Sequence, residues 1–349
     1  MKIIGIAATL PSKLVTNQQV LDLVEHHSKD NFEGDLPKTL KMINKLFEKS
    51  GVESRYWLGS GEQPMALMEA AFNRALARAN ISKDDIDLLV YPNVSRGFTE
   101  PACSTFVAKA LGLTCRNFDV VDACMGWVSS MDIINDKMRA GTIRYAVIVN
   151  MEFLTIEDGP IFPKNFALKS AAELEYKFPS FTMGEAVAVT ILSNEAPNNF
   201  NFSFVSRPDL SHLCTVSLPG WKSFCNTSDI ETIAPTGGMY QFNSHGGKLH
   251  DTAEEEAVNV FNLQKLGRND VHCIFTHTSS PKQWAHYGRL VGMEDKIHSI
   301  APRTGNIITA SIPLGIADAV EKNILKKNQI CVGWNGSAGM VFSAMTFVY

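Results

Sequence analysis

Long apolar runs are missing from this chain, as are dense basic tracts, closely paired cysteines and glycine-rich phosphate loops. No apolar stretch reaches the roughly 18 residues that a membrane-spanning helix needs. The opening segment, Met1 to Ala8, is short and is soon interrupted by Pro11 and Ser12, so it reads as a first strand and not as a signal peptide. Charge is sparse too: 19% of residues, against roughly 25% in typical soluble domains. With 32 Lys and Arg against 36 Asp and Glu, the net charge is −4. That balance excludes generic binding to nucleic-acid phosphates. The seven cysteines (103, 115, 124, 214, 225, 273 and 331) form no C-x-x-C pair. They exclude a zinc ribbon or a secreted disulfide scaffold and fit free thiols in a reducing cytosol. No G-x-G-x-x-G follows the first strand, and neither Gly237-Gly238 nor Gly246-Gly247 leads into the Lys-Ser/Thr of a phosphate loop. The expectation is a cytoplasmic protein with no resident cofactor or metal and no membrane partner.

What is present is a large apolar fraction, 45% of 349 residues, enough for two lobes or one large α/β unit at roughly 150 residues per domain. The chain echoes itself. A helical pattern from about Met65 to Ala79 is followed by a buried strand, Ile86 to Val90, and its counterpart is a helix from about Thr252 to Leu266 followed by Val271 to Phe275. A helix ending in Ala110-Leu111-Gly112-Leu113 matches one ending in Arg289-Leu290-Val291-Gly292. Phe118 to Val121, then a helix through Ser129 and Ser130, matches a strand around His298 to Ile300, then a helix through Ser311 and Ala317. Three units in the same order indicate duplication, with halves at 1–195 and 196–349. Alternating strands and helices predict mainly parallel sheets covered on both faces, and two stacked halves predict five layers, α-β-α-β-α. Stretches 155–177 and 208–247 have weak periodicity and read as loops or lids over a site.

Chemistry is concentrated in a few places. Asp119-Val120-Val121-Asp122-Ala123-Cys124-Met125-Gly126 describes a strand end, a sharp turn and a helix start. A thiol there meets the positive end of a helix dipole, which favours the thiolate. The alternative is a small core cysteine. A nucleophilic thiol needs a proton acceptor and an oxyanion stabiliser. His277 lies just past the end of a buried strand, where α/β sites form, although a structural histidine fits the same place. Asn306, in Arg303-Thr304-Gly305-Asn306, could equally be a turn or capping residue. His245, His250, His272 and Cys273 have no zinc-ligand spacing.

Taken together these residues resemble the thiolase superfamily, and within it the ketoacyl synthase III-like condensing enzymes. The matching features run in order: Gly51-Val52-Glu53-Ser54-Arg55; Asp119 to Cys124 with Gly126; His277; Gly305-Asn306 with Ala310-Ser311-Ile312-Pro313; and Gly333 to Gly339 before a last apolar strand. Cys124 and His277 are 153 residues apart, and His277 and Asn306 are 29 apart, similar to the family's Cys–His–Asn set. The resemblance implies a thiolase-like fold, acylation of Cys124 by a CoA or carrier-protein thioester, and enolate stabilisation by His277 and Asn306. It also implies an oxyanion hole from the Cys124 N–H and the Ser337 region, pantetheine contacts near Lys45, Lys49 and Arg55, and a homodimer.

Departures narrow the choice. Thr278-Ser279-Ser280 replaces the family's Gln-Ala-Asn after the histidine, Lys45 and Lys49 fall where a tryptophan and an arginine clasp CoA, and Met183-Gly184-Glu185-Ala186 alters the central Gly-Asp-Gly. Asn93 to Pro101, with Glu100 before the proline, resembles the pyrone-forming ketosynthases and the OleA-like head-to-head condensing enzymes of olefin synthesis. In that group a glutamate at this place reaches the neighbouring subunit's site. A carboxylate desolvated in an acyl pocket could remove a carbon-bound proton. Non-decarboxylative Claisen condensation leads, with closure to an α-pyrone following where the second substrate is a β-ketoacyl thioester. Decarboxylative condensation with a malonyl thioester, simple acyl transfer and a silent partner subunit are the alternatives.

Overall fold

A computed structural model describes residues 1–195, 200–236 and 238–349. The boundary drawn at 195/196 abuts undescribed residues, and Gly237 lies outside the described ones. The chain opens with β1 (Lys2–Thr9), β2 (Lys13–Thr16), α1 (Asn17–Ser28), α2 (Leu36–Ser50), β3 (Ser54–Trp57) and α3 (Pro64–Ala79). It continues through β4 (Leu88–Tyr91), α4 (Cys103–Leu111), β5 (Arg116–Asp119), α5 (Gly126–Arg139), β6 (Tyr145–Glu152), α6 (Leu174–Lys177) and β7 (Ala186–Ser193). The second half contributes β8 (Asn201–Ser206), β9 (Cys214–Val216), α7 (Thr227–Ile233), β10 (Phe242–Ser244), α8 (Gly246–Asn262), β11 (Cys273–Thr276) and α9 (Pro281–Leu290). It closes with α10 (Ala301–Thr304), α11 (Ser311–Glu321), β12 (Ile330–Ser337) and β13 (Val341–Val348).

Two sheets carry the architecture, in the orders β1-β7-β6-β4-β5 and β11-β12-β13-β8. Read from opposite ends they match strand for strand: β1 with β8, β7 with β13, β6 with β12 and β4 with β11. The fifth strand expected around His298 is reduced to one bridge, Ile274 with Ile297, because the chain turns into α10 three residues after His298. The sheets are mixed and not mainly parallel as expected. β7 is antiparallel to both β1 and β6, and β13 is antiparallel to both β12 and β8; among the described residues of these two sheets the parallel pairs are β4–β5, β4–β6 and β11–β12.

Alternation along each strand builds the layers. On β4 and β6, Leu88, Val90, Ala146 and Ile148 face inward to Trp127, Met131 and Ile134 of α5 and to Ile312 and Ile316 of α11. From the other side, Cys273, Phe275, Cys331 and Met345 of the second sheet close on the same two helices. The intervening residues Leu89, Val147 and Val149 face α3 and α4, while Ile274, Val332 and Trp334 face α8 and α9. The order is therefore α-β-α-β-α. Each fully buried Ile, Leu or Phe side chain contributes about 1.5–3 kcal/mol. Strands buried on both faces need continuous apolar sequence, which is why they were visible as short apolar runs. No helix among the described residues is long and apolar enough to cross a membrane.

Two segments differ from expectation. Helix α8 starts at Gly246, ahead of the expected Thr252, and ends at Asn262, with Lys265 at φ +54° marking the break. The supposed lid at 155–177 is part of the interior: Ile161, Phe166 and Leu168 are buried in a cluster that also receives Cys124, Met183, Phe242 and Ile308.

Candidate active site

The turn that carries Cys124 is held by residues from the other half of the chain. Ala123 is in the left-handed region at φ +43°, a costly conformation for a residue with a Cβ. The Met125 N–H donates to Asp122 O (2.9 Å) and to Ser337 Oγ (3.1 Å), and Asn335 Nδ2 donates to Cys124 O (2.9 Å). Ser129 Oγ donates to Asp122 Oδ2 (2.5 Å). Gly126 is required because a Cβ there would stand 2.9 Å from Pro92 O, so the close backbone approach read from the sequence is real.

The thiol itself corrects an expectation. Burial raises the Cys124 pKa above its ordinary value, and the neighbouring Cys214 thiol and Glu152 carboxylate raise it further; the Ala338 N–H, directed at Sγ, opposes them only in part. Loss of solvation outweighs the short helix start, and Cys124 rests as a neutral thiol. The loop donor beside the sulfur is the Ala338 amide. Ser337 instead uses its hydroxyl to hold the turn, accepting from Met125 N and donating to Asp122 O (3.4 Å).

His277 stands at the end of β11, 4% exposed, with its N–H donating to Trp334 O at 3.1 Å. Trp334 and Asn335, neighbours on β12, thus hold the histidine and the nucleophile turn respectively. The Ser311 hydroxyl donates to Ile308 O (2.7 Å), which leaves its oxygen to accept from Thr278 Oγ1 (2.8 Å) and from His277 Nδ1 (3.1 Å). This network assigns the imidazole proton to Nδ1 and a lone pair to Nε2. Burial lowers the His277 pKa to about 4, with a hydrogen bond to the Ile308 backbone opposing, so the ring is a neutral base.

Asn306 is fixed through both backbone groups: its N–H donates to Thr182 O and its carbonyl accepts from Gly184 N–H, each at 2.9 Å. Its Oδ1 accepts from Ile308 N–H (3.0 Å), which leaves the donor end, Nδ2, for a ligand. Ile308 pays for this with φ +53°, rare for a β-branched residue. Gly305 adopts φ +63°, and a Cβ there would lie 2.2 Å from Thr182 O. Gly305→Ala is expected to cost about 3 kcal/mol in urea unfolding and to displace Asn306. An unchanged midpoint would show that the turn tolerates a side chain.

The other expected site residues are distributed differently. Arg55 is not on a substrate path: it is fully buried, donates to Val15 O (3.4 Å), stands over the Phe47 ring at 5.2 Å, and its pKa falls to about 9 by burial. It sits on β3, whose inward face is set by the Trp57 and Arg55 alternation. Lys45 and Lys49 are exposed on α2, with Lys49 close enough to His250 to lower that ring's pKa alongside burial. Glu100 is exposed on the loop before α4, so its own chain does not desolvate it as the acyl-pocket reading requires. Glu185, in the altered glycine motif, is buried and accepts from Leu58 N (2.6 Å) and Thr155 Oγ1 (2.5 Å). Among the described residues no group of three His, Cys, Asp or Glu is placed to hold a metal.

Sequence reasoning missed Asn335, Ser311, Ala338 and Glu152. Glu152 alone carried a signal: a charged residue closing the apolar run of β6 at the carboxyl end of a strand, where α/β sites gather.

On this layered α/β fold the Cys124 turn and His277 are tied to neighbouring residues of β12, and His277 and Asn306 both bond to Ile308. Residues 262–349 match the family model described as 3-oxoacyl-[acyl-carrier-protein] synthase III C terminal. Over 331 residues the chain is 22% identical to the beta-ketoacyl-[acyl-carrier-protein] synthase III of Baumannia cicadellinicola, covering 94% of this chain and 93% of the relative. Among solved structures, a cysteine-to-serine variant of Xanthomonas campestris OleA with bound lauric acid and lauroyl-CoA superposes with a TM-score of 0.81 at 19% identity, covering 99% and 98% of the two chains. The 3-oxoacyl-(acyl carrier protein) synthase III, FabH, of Xanthomonas oryzae gives 0.78 at 20%, covering 99% and 98%. The chain is thus similar in fold to OleA and FabH, and its C-terminal segment to the synthase III family.

Proposed function

We propose that this enzyme joins two acyl thioesters by Claisen condensation through an acyl-Cys124 intermediate, without decarboxylation. The observation that carries the reading is that adjacent residues of β12, Trp334 and Asn335, hold His277 and the Cys124 turn, with the His277 Nδ1 engaged by Ser311 and Nε2 left for a proton. In the first half-reaction, Cys124 passes its proton to His277 Nε2 and the sulfur attacks the thioester carbonyl. The N–H groups of Cys124 and Ala338 take the oxyanion, and the departing CoA or carrier thiolate recovers the proton. The apolar cluster of Leu154, Ile161, Phe166 and Phe242 behind Cys124 suits an acyl chain.

In the second half-reaction a base removes a proton from C2 of the second thioester. Asn306 Nδ2 stabilises the enolate oxygen, C2 attacks acyl-Cys124, and the sulfur leaves as thiolate and is reprotonated. Glu100 of a second copy is the assigned base, because a partner surface would supply the desolvation that its own chain does not. A homodimer, a cytoplasmic location, halves at 1–195 and 196–349, and lactonisation to a pyrone when the second substrate is a β-ketoacyl thioester belong to the same reading.

The test is intact mass of the wild type and Glu100→Gln after mixing with medium- or long-chain acyl-CoA, followed by product analysis with a second thioester. Both proteins are expected to gain the acyl mass, and only the wild type to release condensed product. If Glu100→Gln condenses as well as wild type, and only with malonyl thioester, the enzyme is a decarboxylative synthase instead.

A further inference from the structure

The carboxyl group of Glu152 is fully buried at the end of β6 and has a place in neither half-reaction. Each of its oxygens is claimed by two donors. Oε1 accepts from Thr309 Oγ1 (2.6 Å) and Val94 N–H (3.2 Å); Oε2 accepts from Ser95 Oγ (2.9 Å) and Ser95 N–H (3.1 Å). With four donors and no exposure it cannot touch substrate, but it joins three elements. Thr309 belongs to the turn that follows Asn306 and includes Ile308, the residue holding Asn306 Oδ1. Val94 and Ser95 begin the loop that leads to Glu100, and Ser95 Oγ is itself tied back to Phe153 N–H at 2.7 Å. Tyr91 OH donates to Ser95 O at 3.1 Å from the same side. The Glu152–Thr309 bond also crosses between the two halves of the chain.

We propose that Glu152 is a positioning residue, whose carboxylate holds the Asn306 turn and the Glu100 loop in register around Cys124. This rests on the condensing reading of the site. The titratable groups that act on Cys124 are Cys214 from β9 and Glu152 from β6; Glu152 is the carboxylate of the two. Beyond it lie Tyr91 and, around that ring, Arg96, Asp119 and Cys103.

The test is Glu152→Gln, which keeps the shape but replaces one acceptor oxygen with an NH2 that faces other donors, read in three ways. Condensation is expected to fall roughly ten- to a hundredfold, the cost of a small misplacement of reacting groups. Acylation of Cys124, which needs neither Asn306 nor Glu100, is expected to change by no more than about threefold. The pH at which iodoacetamide alkylates Cys124 at a fixed rate, followed by peptide mass, is expected to fall by about one unit because a nearby negative charge is gone. An unmoved alkylation profile, or equal losses in acylation and condensation, overturns the proposal. Should Glu152→Gln fail to fold, Thr309→Val removes the cross-half bond and leaves the carboxylate. It is expected to lose condensation, with Thr309→Ser restoring it, and wild-type condensation by Thr309→Val overturns the proposal. If the wild type condenses no pair of thioesters, the proposed function fails, and the alkylation profile alone then decides the place of Glu152.

Discussion

Cys124→Ala is expected to gain no acyl mass from any acyl-CoA and to lose condensation by about four orders of magnitude or more, with little loss of fold. The size of the effect follows from the chemistry: no other thiol in the cluster can substitute. Cys214 is the nearest alternative, but it sits on β9 and bonds to Ser244, whereas the Ala338 amide is directed at Cys124. Fold is retained because the turn is held by backbone groups and by Asn335 and Ser337, not by the sulfur. Cys124→Ser is expected to be nearly as inactive, since a hydroxyl ionises less readily than the thiol it replaces. Intact mass after acyl-CoA treatment checks this directly. Acylation of Cys124→Ala at the wild-type rate would place the nucleophile elsewhere.

His277→Gln is expected to slow acylation by about 10²- to 10⁴-fold, the usual worth of a positioned general base. The same substitution has a pH signature. In the unfolded chain the ring protonates near its ordinary 6.5, whereas in the fold burial holds it at about 4. Between those values the unfolded state binds the extra proton, so stability is complete above about pH 6.5, falls as pH drops toward 4, and levels off below. The difference amounts to about 3 kcal/mol for this ring. His245 and His250, also lowered chiefly by burial, act alike in both proteins and cancel in the comparison. Urea unfolding from pH 7.5 to 4 should therefore show a steeper acid loss in wild type than in His277→Gln. Parallel curves would mean that the ring is solvated, and the proton transfer from Cys124 would then lose its acceptor.

The layers were legible because strands covered on both faces must be apolar throughout. The duplication was legible because each half repeats the same succession of helix, buried strand and helix. Cys124, His277 and Asn306 were singled out through the family resemblance, and all three follow strand or helix ends. The mixed strand directions were not legible, since a strand's apolar content does not record the direction of its neighbour. The burial of 155–177 was also hidden, because Ile161, Phe166 and Leu168 enter the interior without a helical or strand period.

By itself, then, the sequence determined the α-β-α-β-α layering and the doubled plan, because these depend on local periodicity, and through its family resemblance it pointed to Cys124, His277 and Asn306. Only the tertiary structure decided how those side chains behave. The Cys124 pKa is raised and not lowered, Arg55 is buried over the Phe47 ring, and Ala338 supplies the N–H beside the sulfur. Solvation and hydrogen-bond partners set these properties, and both come from segments up to about two hundred residues away, such as Asn335 against Cys124 and Thr309 against Glu152.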